Sequence, residues 1–341
     1  MMKTEHLKIT DIHIDEEKIK KAAALLAKGE LVAFPTETVY GLGADAANEV
    51  AVSGIFAAKG RPQDNPLIVH VASVEHCREL VQEIPDYAEK LMDRFSPGPI
   101  TYVLPHRGGL ADNVTAGLAT VGIRIPDHPL ALALIRESGC PIAAPSANTS
   151  GKPSPTTAFH VAEDLDGKIA CIVDGGATGI GVESTVIDCT GKLPVVLRPG
   201  GITQEMIEEA IGEKLASTNG IPESDKPKAP GMKYRHYAPV LPLILVQGDA
   251  SKIKEFVRKV ESEGKRVAVL ASKSTADHLD LPHVKVLGTE PNEIAANLYA
   301  ALRHYTEKDA DLLICEAFSR SGIGEAIMNR LAKAAEKHMI L

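Results

Sequence analysis

The chain has 341 residues, 44% of them hydrophobic and 24% charged, with a formal charge of −8 at pH 7 and only 4% aromatic residues. That length exceeds one typical domain, so two domains are expected. The acidity and the scarcity of aromatics, with no Trp, exclude an extended phosphate-binding face and a base-stacking platform, so no strong direct nucleic-acid surface is expected. No apolar run approaches the roughly 18 residues that span a bilayer. The opening "MMKTEHLKIT" lacks the apolar core of a secretory signal. No membrane partner and a cytoplasmic location are therefore expected.

Along the chain the pattern is α/β. "DEEKIKKAAALLAKGE" predicts an acid-started amphipathic helix and "LVAF" the strand after it. Residues 48–58 predict a helix that stops at Gly60, "LIVHVA" a strand, and 73–95 two helical stretches. "ITYVLP" and "TVGIRIP" are strands, "HPLALALIRESG" is a helix ending on Gly139, and "PIAAPS" returns as a strand. Residues 156–165 read as helix, and "KIACIVDGG", "STVIDCT" and "PVVLRPG" as strands. Strands crowd too closely near 184–198 for a pure βαβ repeat, so the sheet should be mixed.

The stretch 217–239 is rich in Pro, Gly, Ser and Lys without periodicity and reads as an interdomain linker. After it the chain alternates: strand 241–247, helix 250–262, strands 266–271 and 284–288, helix 291–307, strand 311–316, helix 323–338. That is a smaller, Rossmann-like three-layer α/β domain. The expected division is 1–212, a linker over 213–239, and 240–341. Residues 240–341 carry 14 Lys/Arg and 14 Asp/Glu, so the whole −8 lies ahead of them. Any anion site must therefore be local.

Several signatures are missing. There is no GxxxxGK[ST] and no GxSxG. "GLGADA" matches GxGxxA, but "PTETVY" separates it from its strand, which is wrong for a dinucleotide turn. "SGIGEAI" lacks the third glycine and reads as a loop and helix start. Cys77, Cys140, Cys171, Cys189 and Cys315 contain no CxxC pair and read as reduced core thiols. The histidines show no HExxH, so no metal site built from protein side chains is argued.

What remains is a series of polar islands at strand ends, where open α/β sheets place ligands. "PTETVYGLG" reads as a Gly-rich loop offering hydroxyls. Lys59-Gly60-Arg61 ends a helix, where one cation would suffice for capping. His70 interrupts an apolar strand, sharing its face with Ile68 and Ala72, and reads equally as a core histidine. "APSANTSGKPSPT" resembles a phosphate-accepting loop. Arg124 in "VGIRIP" and Arg198 in "VLRPGG" are strand arginines, costly to bury without an anion. Cations and hydroxyls without a general-base pair point to phosphoryl or nucleotidyl transfer, which needs positioning and charge stabilisation.

Taken in order, "PTETVYGLG", "KGRPQDNPL", "SPGPIT", "GIRIP", "PSAN", "ESTVID" and "LRPG", followed by "PGMKYRHYAP", resemble the YrdC family in its two-domain form, the L-threonylcarbamoyladenylate synthases. The resemblance spans about residues 15–200 plus the linker. It implies a YrdC-like twisted mixed sheet with flanking helices. It also implies a nucleotidyltransferase that joins L-threonine, bicarbonate and ATP, with Mg²⁺, into threonylcarbamoyl-AMP, pyrophosphate and water. The product serves threonylcarbamoyladenosine formation in tRNAs reading codons that begin with A, with a downstream tRNA threonylcarbamoyl transferase complex as a possible partner. By motif position, Lys59 and Arg61 carry catalysis. Lys59, Arg61, Asn65, Thr120, Ser146, Ser154, Arg198 and His236 (or its neighbour Tyr234) hold ATP. Thr38, His70, Arg124, Ala144 and Ser184 hold L-threonine, Arg124 through the carboxylate and Ala144 through its backbone. His236 or Tyr234 would reach over the nucleotide as a lid. Mg²⁺ would come with the ATP phosphates. The alternatives are an RNA-binding module or a carbamoyl-adenylate-forming transferase of the hydrogenase-maturation type.

Overall fold

The computed structural model describes residues 3–215 and 236–341, which pack as two compact units. Of the described residues, the first unit takes 3–150, 155–179 and 183–215, and the second takes 151–154, 180–182 and 236–341. The division is thus not a single cut in the chain. Of the expected linker, 216–235, including Tyr234, lies outside the described residues.

The first unit runs β1 (Glu5–Lys8), α1 (Glu16–Ala27), β2 (Val32–Pro35), β3 (Tyr40–Asp45), α2 (Glu49–Lys59), β4 (Ile68–His70), α3 (Val74–Leu80) and α4 (Asp86–Phe95). It continues β5 (Ile100–Pro105), α5 (Asp112–Thr115), β6 (Thr120–Arg124), α6 (Pro129–Ser138), β7 (Ile142–Ala143), α7 (Ala158–Leu165), β8 (Cys171–Asp174), β9 (Thr185–Asp188), β10 (Val195–Arg198) and α8 (Gln204–Ile211). Helix starts follow side-chain capping: Asn48 accepts from the amides of Val50 and Ala51, and Ser73, Thr157 and Thr203 each cap in the same way. At the end of α2, Gly60 takes the left-handed conformation at φ 60°, which lets the chain turn where a side chain would be strained.

The sheet is mixed, in the order β1-β8-β2-β3-β7-β4-β6-β5-β9-β10. The crowding near 184–198 is resolved by an antiparallel β9–β10 pair. One expectation is corrected here. "PTETVYGLG" is not a Gly-rich loop: only residues 36–39 turn, and Tyr40–Asp45 is strand β3, paired with β2 and β7. Its glycines serve packing, since a Cβ on Gly43 would lie 2.8 Å from the Phe34 ring and 2.9 Å from Ile142.

Alternation along the central strands decides where the core sits. Val69 and Val71, Tyr102 and Leu104, Val121 and Ile123, and Ile187 enter one large core with helices α2, α4 and α7. On the opposite face α1 and α6 cover the β1-to-β7 side, through Ala22, Leu26, Leu130 and Leu134. Beyond them, over β4, β6, β5 and β9, Ile68, Val103 and Val186 form a small patch with Leu197, which takes in no helix residue among the described residues.

The second unit runs β11 (Leu243–Gln247), α9 (Ala250–Ser262), β12 (Val267–Ala271), α10 (Lys273–Leu279), β13 (Val284–Val286), α11 (Pro291–His304), β14 (Leu312–Glu316), α12 (Gly324–Ala334) and β15 (Lys337–Ile340). Its sheet is all parallel, ordered β13-β12-β14-β11-β15. Residues of α9 and α10 share one core with Val267, Val269 and Ala271. The intervening Ala268 and Leu270 are also fully buried, as the two-sided burial of a parallel sheet requires. The expected helix over 323–338 is corrected: it ends at Ala334, and the last residues form β15, which pairs with β11. Helix α10, started by the Ser272 cap, was not foreseen.

Within this unit Arg303 donates through Nε and Nη2 to the Pro153 carbonyl at 3.1 and 2.6 Å, and Ala238 donates to Gly151 at 2.8 Å. Tyr237 stacks on Tyr299 with centroids 5.4 Å apart and lies 5.6 Å from the buried Arg330 guanidinium. Among the described residues, no helix is long and apolar enough to cross a membrane.

Candidate active site

The sparsely covered part of the sheet gathers most of the polar residues singled out above. β4 and β6 are parallel and in register, with Ile68 opposite Gly122 and His70 opposite Arg124. Period-two alternation therefore puts Ile68, His70, Thr120, Gly122 and Arg124 on one face. Thr101 and Ser184 join them from β5 and the start of β9, their hydroxyls 2.8 Å apart.

At the C-terminal end of β6, Arg124 is 4% exposed. Its Nη2 donates to Thr38 Oγ1 at 2.9 Å and lies 2.7 Å from Glu37 Oε2. Both partners come from the 36–39 turn, which is held by the Thr36 hydroxyl donating to the Val39 carbonyl at 2.7 Å. Among the described residues, Arg124 Nε has no hydrogen-bond partner, and neither has His70 Nδ1 beside it. His70 is 3% exposed. Burial first, and the Arg124 charge second, push its pKa down to about 3, so the ring is neutral at ordinary pH. His128, at the N-cap of α6, is also lowered by burial, against the pull of Glu37 and Asp127. Tyr40 is structural: its hydroxyl donates to the Gly176 carbonyl at 2.6 Å, and burial raises its pKa.

At the other end of β4, Lys59 is buried and donates to the backbone carbonyls of Ser146 at 2.5 Å and Asn148 at 2.6 Å. The Ser146 hydroxyl donates to Asn148 Oδ1 at 2.5 Å, so the ammonium and the hydroxyl together shape the "PSAN" loop. Arg61 Nη2 reaches the carbonyls of Asn65 and Pro66 at 3.3 and 3.2 Å. Asn65 is 1% exposed, and among the described residues its Oδ1 has no hydrogen-bond partner. These cations do more than cap a helix: each ties the end of α2 to a following loop.

Arg198 owes its position to an irregularity between Val196 and Arg198, which leaves it opposite Val186. It donates to the Ser184 carbonyl through Nε at 3.2 Å and Nη2 at 3.0 Å, and to the Ser184 hydroxyl at 3.2 Å. The Ala144 amide is committed to the Ile68 carbonyl at 2.9 Å.

The structure thus brings together Thr38, His70 and Arg124, then Ser184 with Arg198, and then Lys59 with Ser146. Thr120 stands at the opposite end of β6 from Arg124, roughly 13 Å along the strand at about 3.3 Å per residue. That end is the side of Asn65, since both precede the paired residues Ile68 and Gly122. Ser154 and His236 belong to the second unit, Ser154 buried at 1% exposure. Glu37 and Thr101 were not singled out from the sequence. Glu37 lay inside a quoted motif, but attention to its hydroxyls hid the carboxylate between two threonines.

A mixed sheet carrying buried arginines, hydroxyls and a neutral histidine on one face is the frame of an α/β protein with a local site suited to an anionic group. Residues 24–200 match the Sua5_yciO_yrdC model, described as "Telomere recombination", and residues 202–336 match "Threonylcarbamoyl-AMP synthase, C-terminal domain". The chain belongs to the two-domain Sua5/YrdC family. It is 53% identical over 336 residues to threonylcarbamoyl-AMP synthase of Bacillus subtilis, with 97% of each chain covered. It is also 53% identical over 332 residues to that of Pyrococcus abyssi, with 96% of each covered. The structure of P. abyssi Sua5 complexed with L-threonine matches with a TM-score of 0.91 at 50% identity over 99% of each chain.

Proposed function

We propose that the chain makes threonylcarbamoyl-AMP and pyrophosphate from L-threonine, bicarbonate and ATP, as a nucleotidyltransferase. The observation that carries this reading is the Arg124 cluster. A buried guanidinium flanked by the Thr38 hydroxyl and a neutral imidazole suits a small hydroxylated amino acid. The full-length likeness to two threonylcarbamoyl-AMP synthases supports it.

In this reading Arg124 receives the threonine carboxylate, where a guanidinium can bind bidentately. Thr38, His70 and Ser184 hold the rest of the amino acid. Its amine captures bicarbonate, giving a carbamate and water. A carbamate oxygen then attacks the α-phosphate in line, and pyrophosphate leaves. Lys59, Arg61 and Arg198 stabilise the phosphate charge, with Asn65, Thr120 and Ser146 positioning the nucleotide. ATP enters as its Mg²⁺ complex. The product is consumed by threonylcarbamoyladenosine formation on tRNA, through a downstream transferase complex.

The test is pyrophosphate release with threonine, bicarbonate and ATP each omitted in turn. Release should require all three. Release without threonine, or with carbamoyl phosphate replacing threonine and bicarbonate, would overturn the reading.

A further inference from the structure

The carbamate step needs a free amine, yet an amino acid is mostly ammonium at neutral pH. Something in the site must take that proton. Lys59, Arg61, Arg124 and Arg198 are cations. His70, its pKa pushed down to about 3, is too weak a base. Among the groups at the threonine end, a carboxylate stands in direct contact with Arg124: Glu37, with Oε2 2.7 Å from Nη2.

Glu37 is well placed for more than neutralising that charge. Its side chain is 12% exposed, and beyond the Arg124 ion pair both its carboxylate oxygens are buried without a hydrogen-bond partner among the described residues. A buried carboxylate oxygen left without a donor costs stability, so such a group calls for an explanation, and a catalytic role is one. The ammonium and carboxylate of an α-amino acid are attached to the same carbon. A substrate carboxylate on the Arg124 guanidinium therefore brings its ammonium within reach of a carboxylate on that guanidinium. The groups that face Glu37 are Arg124 from β6 and His128 from the N-cap of α6, while His70 on β4 faces Arg124.

We propose that Glu37 is the proton acceptor for the threonine ammonium, a role that rests on the synthase reading above. The Glu37 carboxylate takes one ammonium proton and becomes a carboxylic acid. The freed amine attacks the bicarbonate carbon, the C–N bond forms, and a C–O bond breaks. The departing hydroxide takes the amine's second proton and leaves as water, with the carbamate left behind. Glu37 later returns its proton to solvent.

Two variants test this, Glu37→Gln and Glu37→Asp, each checked for folding by its melting curve. For Glu37→Gln at pH 7, threonine- and bicarbonate-dependent pyrophosphate release should fall on the order of 10²-fold or more. Calorimetric threonine binding should weaken by about tenfold at most, far less than the rate, because Arg124 still takes the carboxylate and only the ammonium contact loses its charge. Raising the pH toward 9.5 supplies free amine from solution and should narrow the gap to wild type at least tenfold. Glu37→Asp, which keeps the carboxylate, should recover part of the rate at pH 7, and it alone decides the matter should the glutamine variant not fold. Undiminished activity of Glu37→Gln, a parallel loss of threonine binding, a gap indifferent to pH, or a folded Glu37→Asp no better than Glu37→Gln would each overturn the assignment. A wild-type release that ignores threonine or bicarbonate would instead bring down the synthase reading, and this step with it.

Discussion

Lys59 and Asn148 are joined across 89 residues of chain: the ammonium at the end of α2 donates to the Asn148 carbonyl at 2.6 Å while also holding that of Ser146. A buried lysine is tolerable only where its charge is met by such acceptors. Replacing it with methionine keeps the stem and strands two carbonyls. Lys59→Met should therefore cost about 1–3 kcal/mol of stability, read as a lowered melting temperature. Pyrophosphate release should drop by at least about a hundredfold, because the "PSAN" loop and the phosphate charge are lost together.

Arg124→Lys keeps one positive charge but gives up the planar fork. A lysine cannot hold both Thr38 and a carboxylate in the same plane, so threonine affinity should weaken by about tenfold to a hundredfold, corresponding to one or two charge-assisted hydrogen bonds. Calorimetry with threonine alone reads this directly, and the KM for ATP should move much less.

His70 links the site to acid stability. The folded protein keeps it neutral down to about pH 3, whereas the unfolded chain's imidazole takes a proton below its ordinary 6.5. Protons thus favour the unfolded state in that window, so stability is fully present above pH 6.5 and falls as the pH drops toward 3. One proton corresponds to about 1.36 kcal/mol per pH unit. His70→Asn should flatten the dependence of unfolding free energy on pH between 4 and 6 by about that slope. His128, lowered in the same direction, supplies a residual slope.

The thiols should divide sharply. Burial pushes Cys77 and Cys171 up to about 12 and raises Cys189 and Cys315 as well, and all four are enclosed. Cys140 is only partly buried. A thiol reagent at pH 8 should titrate at most Cys140 in the native protein and all five after denaturation.

Legibility followed locality. Apolar alternation in "LIVHVA" and "GIRIP" is a backbone-period signal, and it located both strands, while the polar face they share follows from the pairing of His70 opposite Arg124. Gly60 announced the end of α2 because a left-handed turn has few other solutions. Strand β3 was misread because glycine and hydroxyl residues are turn formers by composition; its pairing with β2 and β7 is what makes it a strand. β15 was hidden because "AKAAEKHMI" continues a helical pattern that ends when the chain pairs with β11. The bond from Lys59 to the 146–148 carbonyls and the meeting of Glu37 with Arg124 depend on contacts some ninety residues apart, which no local pattern carries.

Strand β6 allots its two sides to different duties: Val121 and Ile123 go to the core, Thr120, Gly122 and Arg124 to the face proposed to receive substrate. Parity is therefore a reading frame for chemistry. Point changes on one side can be absorbed without disturbing the other. A single inserted or deleted residue within 120–124 would exchange the two sets, driving a guanidinium into hydrocarbon and placing isoleucine on the polar face.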